Sequence, residues 1–209
     1  RWYRQLTTMI RCQDRPSESW RIIMASPRVV RISGFRQITS STKPITTPAD
    51  LEGFKIRVPV SPLWTSLFTA FGSAPASINF AEVYTALQTG IVDGQENPLS
   101  VIVSAKLNEV QEYLTLDGHV YSSTIILVSP SLWGQLDDTQ KAAFEKAADD
   151  AVVAMRAFVD EVDASGVEAM KAAGMEVNEL TPEQKAAFRD ALAEPYKAYE
   201  AQFGADLMA

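Results

Sequence analysis

The sequence is poor in the residues of covalent and metal chemistry. Its 209 residues hold one cysteine, Cys12, and one histidine, His119. A lone cysteine closes no internal disulfide, and one Cys with one His offers no credible metal-ligating cluster, so no metal or cofactor is expected. No apolar run approaches the about 18 residues of a membrane-spanning helix, and the first residues show no secretory leader pattern. Positive charge is also short. Nineteen Lys and Arg face 26 Asp and Glu, and the net charge of −7 argues against nucleic acid and anionic membrane surfaces as partners. The composition that remains is ordinary for a globular protein, with 46% hydrophobic and 22% charged residues. The length allows a real core, in one large domain or two small ones.

Charge is distributed unevenly. Residues 1–36 contain eight Arg, no Lys and only Asp14 and Glu18 as acids, whereas residues 37–209 set three Arg and eight Lys against 24 acids. The first part is therefore near +6 and the remainder near −13. Apolar residues in the Arg-rich part keep neither a period of 2 nor one of 3.6 for long. One reading is a basic arm for an acidic protein partner. The favoured one is that this atypical segment, residues 1–35, is non-native or disordered, for instance out-of-frame translation up to about Gly34.

From Gly34 the sequence becomes coherent, and short strands alternate with helices, which predicts an α/β fold. Thr47-Pro48-Ala49-Asp50 is a helix start with proline at the first position. Residues 54–58 (FKIRV) predict a strand with Ile56 and Val58 on one face and Arg57 on the other. Residues 62–71 predict a helix ended by Gly72, and 76–78 a short strand. Pro98 begins a helix through Val110, Tyr113–Leu116 reads as a strand interrupted at Asp117-Gly118, and residues 119–128 (HVYSSTIILV) are the most strand-like run. Asp137 with Gln140 caps a long helix whose apolar positions include Phe144, Met155, Phe158 and Val162, with a break expected at Ser165-Gly166. Met175–Val177 predicts a strand, and Thr181-Pro182-Glu183-Gln184 caps a last helix through Phe203. Trp64 and Trp133 are expected in the core.

The organising stretch is Asn79–Leu99, NFAEVYTALQTGIVDGQENPL. Asn79 and Glu82 have capping-box spacing, Val83, Ala86 and Leu87 form an apolar stripe, and Gly90 closes the helix. Ile91 and Val92 read as a short buried strand, followed by a turn into Gln95, Glu96 and Asn97. Such polar side chains beside a buried strand are expensive without partners, so at least one is expected to meet a ligand. Arg57 poses the same problem: a guanidinium in an apolar strand costs several kcal/mol unless paired. A carboxylate ligand offers a bidentate partner; a salt bridge to an acid such as Glu96 is the structural alternative.

Three runs, GFRQITSSTKPITTPADLEGFKIRVP, FAEVYTALQTGIVDGQENPL and EVQEYLTLDGH, resemble the DctP-type solute-binding proteins of TRAP transporters over about residues 34–209. The resemblance implies a two-lobed periplasmic-binding-protein-like α/β fold, with a long helix spanning the lobes. It implies a periplasmic receptor, not an enzyme, that passes a small organic carboxylate to TRAP membrane permease subunits. By the same resemblance Arg57 clamps the ligand carboxylate and Asn97 hydrogen-bonds it. Arg36 is a second basic residue of the pocket, Phe80 an aromatic against the ligand, and His119 a position near the polar network.

The family's first lobe should precede Gly34 almost entirely. Residues 36–122 and 163–209 are thus expected to form the second lobe with half the ligand cleft. Residues 123–162 would supply hinge strands and the long helix, partly to the first lobe. One lobe would be nearly complete and the other partial, leaving the strand at 123–128 with an apolar edge and a destabilised, weakly binding product. Alternatives from other classes are an enzyme acting on a carboxylate substrate with Glu96 or Glu82 as base, a protein-interaction module, or a truncated non-functional fragment.

Overall fold

The computed structural model describes residues 34–122 and 128–204. The Arg-rich segment and residues 123–127 of the strand-like run lie outside the described residues. The chain divides into two compact units. One comprises residues 33–122 and 159–198, the other 1–32, 123–158 and 199–209.

The larger unit is built on a mixed six-stranded sheet of order β3-β2-β4-β1-β5-β6. The strands are β1 (Phe35–Ser40), β2 (Lys55–Val58), β3 (Ala74–Ser77), β4 (Gly94–Pro98), β5 (Tyr113–Tyr121) and β6 (Glu176–Glu179). Central β1 runs antiparallel to both β4 and β5, while β2 is parallel to β3 and β4, and β6 to β5. The helices are α1 (Pro62–Ala70), α2 (Val83–Gln88), α3 (Leu99–Ser104), α4 (Pro130–Gln135), α5 (Asp138–Ala172), α6 (Pro182–Ala191) and α7 (Ala193–Phe203).

Alternation along the strands distributes the core to two faces. Ile38, Ile56 and Val58 pack with Leu67, Phe68, Phe71 and Phe188 in one buried cluster. Leu114, on the opposite face, joins Val83, Leu87, Leu99, Ile102, Val162 and Met170 in the other. Helix α1 lies on the first face and α2, α3 and the end of α5 on the second, as their buried residues show.

Several local expectations need correction. Asn79 accepts no capping bond; Phe80–Glu82 form a 3-10 turn and α2 begins only at Val83. Ile91-Val92 is not a strand. Ile91 is 63% exposed, and the strand is Gly94–Pro98, which carries the polar triplet itself. Val92 anchors the bend by packing into the second cluster, while Gly94 begins the strand because nothing larger fits: a Cβ there would meet the Thr39 carbonyl oxygen at 2.1 Å. The helix after Pro98 stops at Ser104, since Lys106 adopts a left-handed φ of 54° and hands over to a 3-10 turn at Leu107–Glu109.

Strand β5 is not broken at Asp117-Gly118. It continues through a bulge, where Arg36 pairs with Val120 but Ile38 with Thr115, so two steps on β1 span five on β5. Gly118 takes φ +59° there, a conformation that glycine adopts without steric cost. Nor does Ser165-Gly166 break α5, which runs unbroken for 35 residues. Gly166 is buried against Leu99, where its missing side chain permits close approach. The last helix is two helices, with Leu192 buried at their junction.

Other signals translate directly. Asp137 and Gln140 cap α5 reciprocally, the Gln140 N–H donating to Asp137 Oδ1 at 2.8 Å and the Asp137 N–H to Gln140 Oε1 at 3.0 Å. Thr181 and Gln184 cap α6 in the same way. In the smaller unit Trp133 packs edge-on to Phe144, ring centroids 6.5 Å apart. Phe144 and Phe158 remain 44% and 43% exposed, so the apolar stripe expected along α5 is buried only from Val159 onward.

Candidate functional site

Strand β4 organises the site by sending its polar triplet to opposite faces. Glu96 pairs with Ile38 and shares its face. Gln95 pairs with Thr39 on β1 and with Arg57 on β2, so Arg57, Gln95 and Asn97 share the other.

On the first face Glu96 is fully buried and fully engaged. Arg36 grips it with Nε on Oε2 and with Nη2 on Oε1 at 2.7 Å, and also reaches the Glu96 carbonyl at 2.7 Å. His119 Nε2 lies 3.1 Å from Glu96 Oε2, while Nδ1 lies 2.5 Å from Asp117 Oδ2. Helix α1 covers the cations with rings. The Arg36 guanidinium sits 5.5 Å from the Trp64 ring centroid, and Phe68 meets His119 edge-on at 5.5 Å. Trp64 is half-buried beside the core, and its indole Nε1 has no hydrogen-bond partner among the described residues.

Electrostatics follow from this packing. Burial opposes ionisation of Glu96, but hydrogen bonds from His119 and Arg36 outweigh it and hold the carboxyl below its ordinary value. Burial likewise disfavours charged His119, yet the Asp117 carboxylate, aided by Glu96, raises its pKa to about 9. The cluster at neutral pH is two cations against two carboxylates, internally neutral.

From the Arg36 guanidinium a chain of bonds runs through neutral side chains on the second face. Arg36 Nη2 donates to Asn97 Oδ1 at 3.0 Å, Asn97 Nδ2 donates to Gln95 Oε1, Gln95 Nε2 to Thr39 Oγ1, and Thr39 Oγ1 to Gln111 Oε1, the last two at 2.8 Å. Arg57 stands beside this chain and is treated differently. It is 4% exposed, yet its Nε and Nη2 both donate to one carbonyl, that of Ile78, at 2.9 and 2.8 Å. Among the described residues it has no ion pair. Its guanidinium lies 5.9 Å from the centroid of Phe80, a half-exposed ring. Burial pulls the Arg57 pKa below the usual guanidinium value, Glu96 pushes back, and Arg36 adds to the lowering.

The structure therefore brings Arg57, Phe80, Asn97 and Arg36 to one locality and ties His119 elsewhere. Arg36 is not a free basic residue, because the Glu96 carboxylate already takes its fork. His119 has both ring nitrogens occupied and supports the network from the opposite face. The salt bridge between Arg57 and Glu96, the structural alternative, is not formed. Sequence reasoning missed Asp117, Thr39 and Gln111; only the Asp-Gly-His run carried a signal, and it reads as an ordinary turn.

An arginine with a spare hydrogen-bonding edge, an aromatic at its side and a fixed amide is suited to a carboxylate. Comparison with known proteins agrees with this geometry. Residues 30–202 match the family described as bacterial extracellular solute-binding protein, family 7, DctP. The chain belongs to that family.

Among its relatives, a solute-binding protein of Verminephrobacter eiseniae is 44% identical over 172 residues, covering 82% of this chain and 51% of the relative. The 2,3-diketo-L-gulonate-binding periplasmic protein YiaO of Escherichia coli is 39% identical over 160 residues, covering 77% and 48%. The chain thus spans about half the length of the curated relatives it matches. A TRAP periplasmic solute-binding protein of Polaromonas sp. JS666, solved with D-erythronate, superimposes with TM-score 0.81 at 34% identity, covering 93% of this chain and 69% of that one.

Proposed function

We propose that this chain forms part of a periplasmic receptor that captures a small organic carboxylate and delivers it to a TRAP membrane permease. The observation that carries the reading is Arg57, a buried arginine whose described partners are one backbone carbonyl and one aromatic ring. An unpaired buried charge is costly, and a bound carboxylate compensates it with two parallel N–H···O bonds. Asn97, held by Arg36, gives the same anion a neutral neighbour, and Phe80 offers its ring to the carbon skeleton. Among the relatives, one is named for 2,3-diketo-L-gulonate and one is solved with D-erythronate, while others are named for C4-dicarboxylates or solved with succinate. This supports a small organic carboxylate without choosing between sugar acids and dicarboxylates. The division of the chain into a lobe at 36–122 and 163–209, and hinge elements at 123–162, is part of the same proposal.

Glu96 does not suit the enzymatic alternative. Both its oxygens are engaged and its carboxyl is held ionised, whereas a general base needs a proton affinity matched to the working pH.

Calorimetric titration tests the proposal with D-erythronate, 2,3-diketo-L-gulonate, succinate and glucuronate, one at a time. One of these acids should bind, and Arg57→Ala should weaken it by about 30-fold or more, the loss expected when one partner of a buried charge pair is removed. Equal affinity of Arg57→Ala and the parent overturns the clamp, and silence across all four acids overturns the reading for this class.

A further inference from the structure

Asp117 makes no contact that the carboxylate clamp requires, yet three parts of the site converge on it. It sits in the β5 bulge, where the regular ladder to β1 is interrupted. Its Oδ1 accepts the Ile38 N–H at 3.1 Å and so satisfies a β1 donor beside the interruption. Its Oδ2 lies 2.5 Å from His119 Nδ1. The Gly118 N–H, between them, donates to Gln37 Oε1 at 2.9 Å and pins the bulge from the other side.

With Nδ1 fixed, the imidazole has one direction left. Nε2 faces Glu96, Glu96 takes the Arg36 fork, and Arg36 Nη2 holds Asn97 Oδ1. The Asn97 amide therefore presents its oxygen to Arg36 and its nitrogen to Gln95. The charged groups facing His119 are Asp117 from β5 and Glu96 from β4, with Arg36 from β1 reaching it through Glu96; α1 contributes Phe68 and no charge.

We infer that Asp117 is the positioning residue of the carboxylate clamp: by holding His119 as an imidazolium against Glu96, it fixes the Arg36 side chain and, through it, the amide of Asn97. This rests on the clamp reading given above for its function, though not for its structural content. Neutral His119 would offer Glu96 either a weaker donor or a lone pair. Arg36 would then be the only cation on a fully buried carboxylate, free to change its fork. Burial on its own favours that neutral ring; the Asp117 carboxylate reverses the preference and sets the pKa at about 9.

His119 is the only histidine in the chain, so a uniformly nitrogen-labelled sample of the full 209 residues gives one imidazole to follow by NMR against pH, together with the arginine and asparagine side-chain signals. The wild-type midpoint should fall near 9, and Asp117→Asn should lower it by about two units, through loss of the nearest opposite charge. The Arg36 Nε–H and Asn97 side-chain amide signals should move with the same midpoint in each protein. A purely structural Asp117 would leave both sets of signals independent of His119. The inference is overturned if Asp117→Asn titrates like the wild type, or if the Arg36 and Asn97 signals ignore the His119 transition. If Asp117→Asn does not fold, the wild-type midpoint decides: a value at or below the ordinary 6.5 of histidine means that Asp117 does not hold the imidazolium and overturns the inference, as does a midpoint that Arg36 and Asn97 ignore. Arg57→Ala should leave all these signals in place. Failure of the acid titrations therefore removes the clamp without touching this result, and the reverse holds too.

Discussion

The two faces of the sheet at β4 solve the same problem in opposite ways. Each holds a buried arginine. On the Glu96 face, Arg36 is matched by a carboxylate and carbonyl of the same chain, and a second cation, His119, has its own carboxylate. On the Arg57 face the cation has a carbonyl, a ring, and no acid among the described residues. Arg36 is matched within the chain and Arg57 has no acid among the described residues, and their cross-strand partners on β4, Pro98 and Gln95, lie three residues apart. Burial of a charge identifies neither role; the inventory of its partners does.

The largest effect should come from removing the charge that balances the first face. Glu96→Ala leaves Arg36 and His119 buried without their shared partner, and should destabilise the chain by about 3–5 kcal/mol, read as a lower midpoint in urea unfolding. Arg57→Ala, by contrast, should leave that midpoint unchanged or raise it, since it removes a charge with no acid to match. If both variants unfold alike, the two arginines do not differ as described.

Acidity sharpens the same contrast. His119 has a folded-state pKa raised from 6.5 to about 9, so its stabilising contribution is complete below pH 6.5 and is lost as pH rises through about 9. Glu96 is shifted down from 4.5, so its contribution is present above pH 4.5 and is lost as pH falls through its lower folded value. Thermal unfolding followed by circular dichroism should therefore show a plateau bounded by an alkaline and an acid decline. His119→Gln should abolish the alkaline decline below pH 9, where no other shifted group of this network titrates; persistence of that decline would assign it elsewhere.

The smallest effect concerns the Phe80 ring. Its contact with Arg57 at a half-exposed site is worth about 0.5–1 kcal/mol. Phe80→Ala should therefore weaken acid binding a few-fold, with unfolding unchanged. A loss as large as that of Arg57→Ala would make Phe80 a principal contact in its own right.

Strand β2 and its lone arginine were legible in the sequence because FKIRV alternates cleanly, and the caps at Asp137 and Thr181 because their partners sit three residues away. The polar triplet was legible as an anomaly but misplaced. Its strand status depends on β1 and β2 on either side, and such long-range pairing overrides the low strand propensity of Gly, Asn and Pro. For the same reason the charge on Arg36 was visible while its partner, 60 residues away, was not. Phe144 and Phe158 mislead in the other direction: helical spacing shows which residues share a stripe, and not whether anything covers it.

The bulge in β5 has a consequence for how this family member tolerates change. Two steps on β1 span an odd count of five on β5, so Thr115 and Val120 each match their partners' side although plain alternation would oppose them. The bulge is a phase shifter in the strand. Substitutions at Asp117 or Gly118 would disturb the specific bonds they make, whereas losing a single residue anywhere in the bulge would turn every later side chain of β5 through half a turn. Outside Asp117, Gly118 and His119, the segment should accept changes of letter far more readily than changes of length.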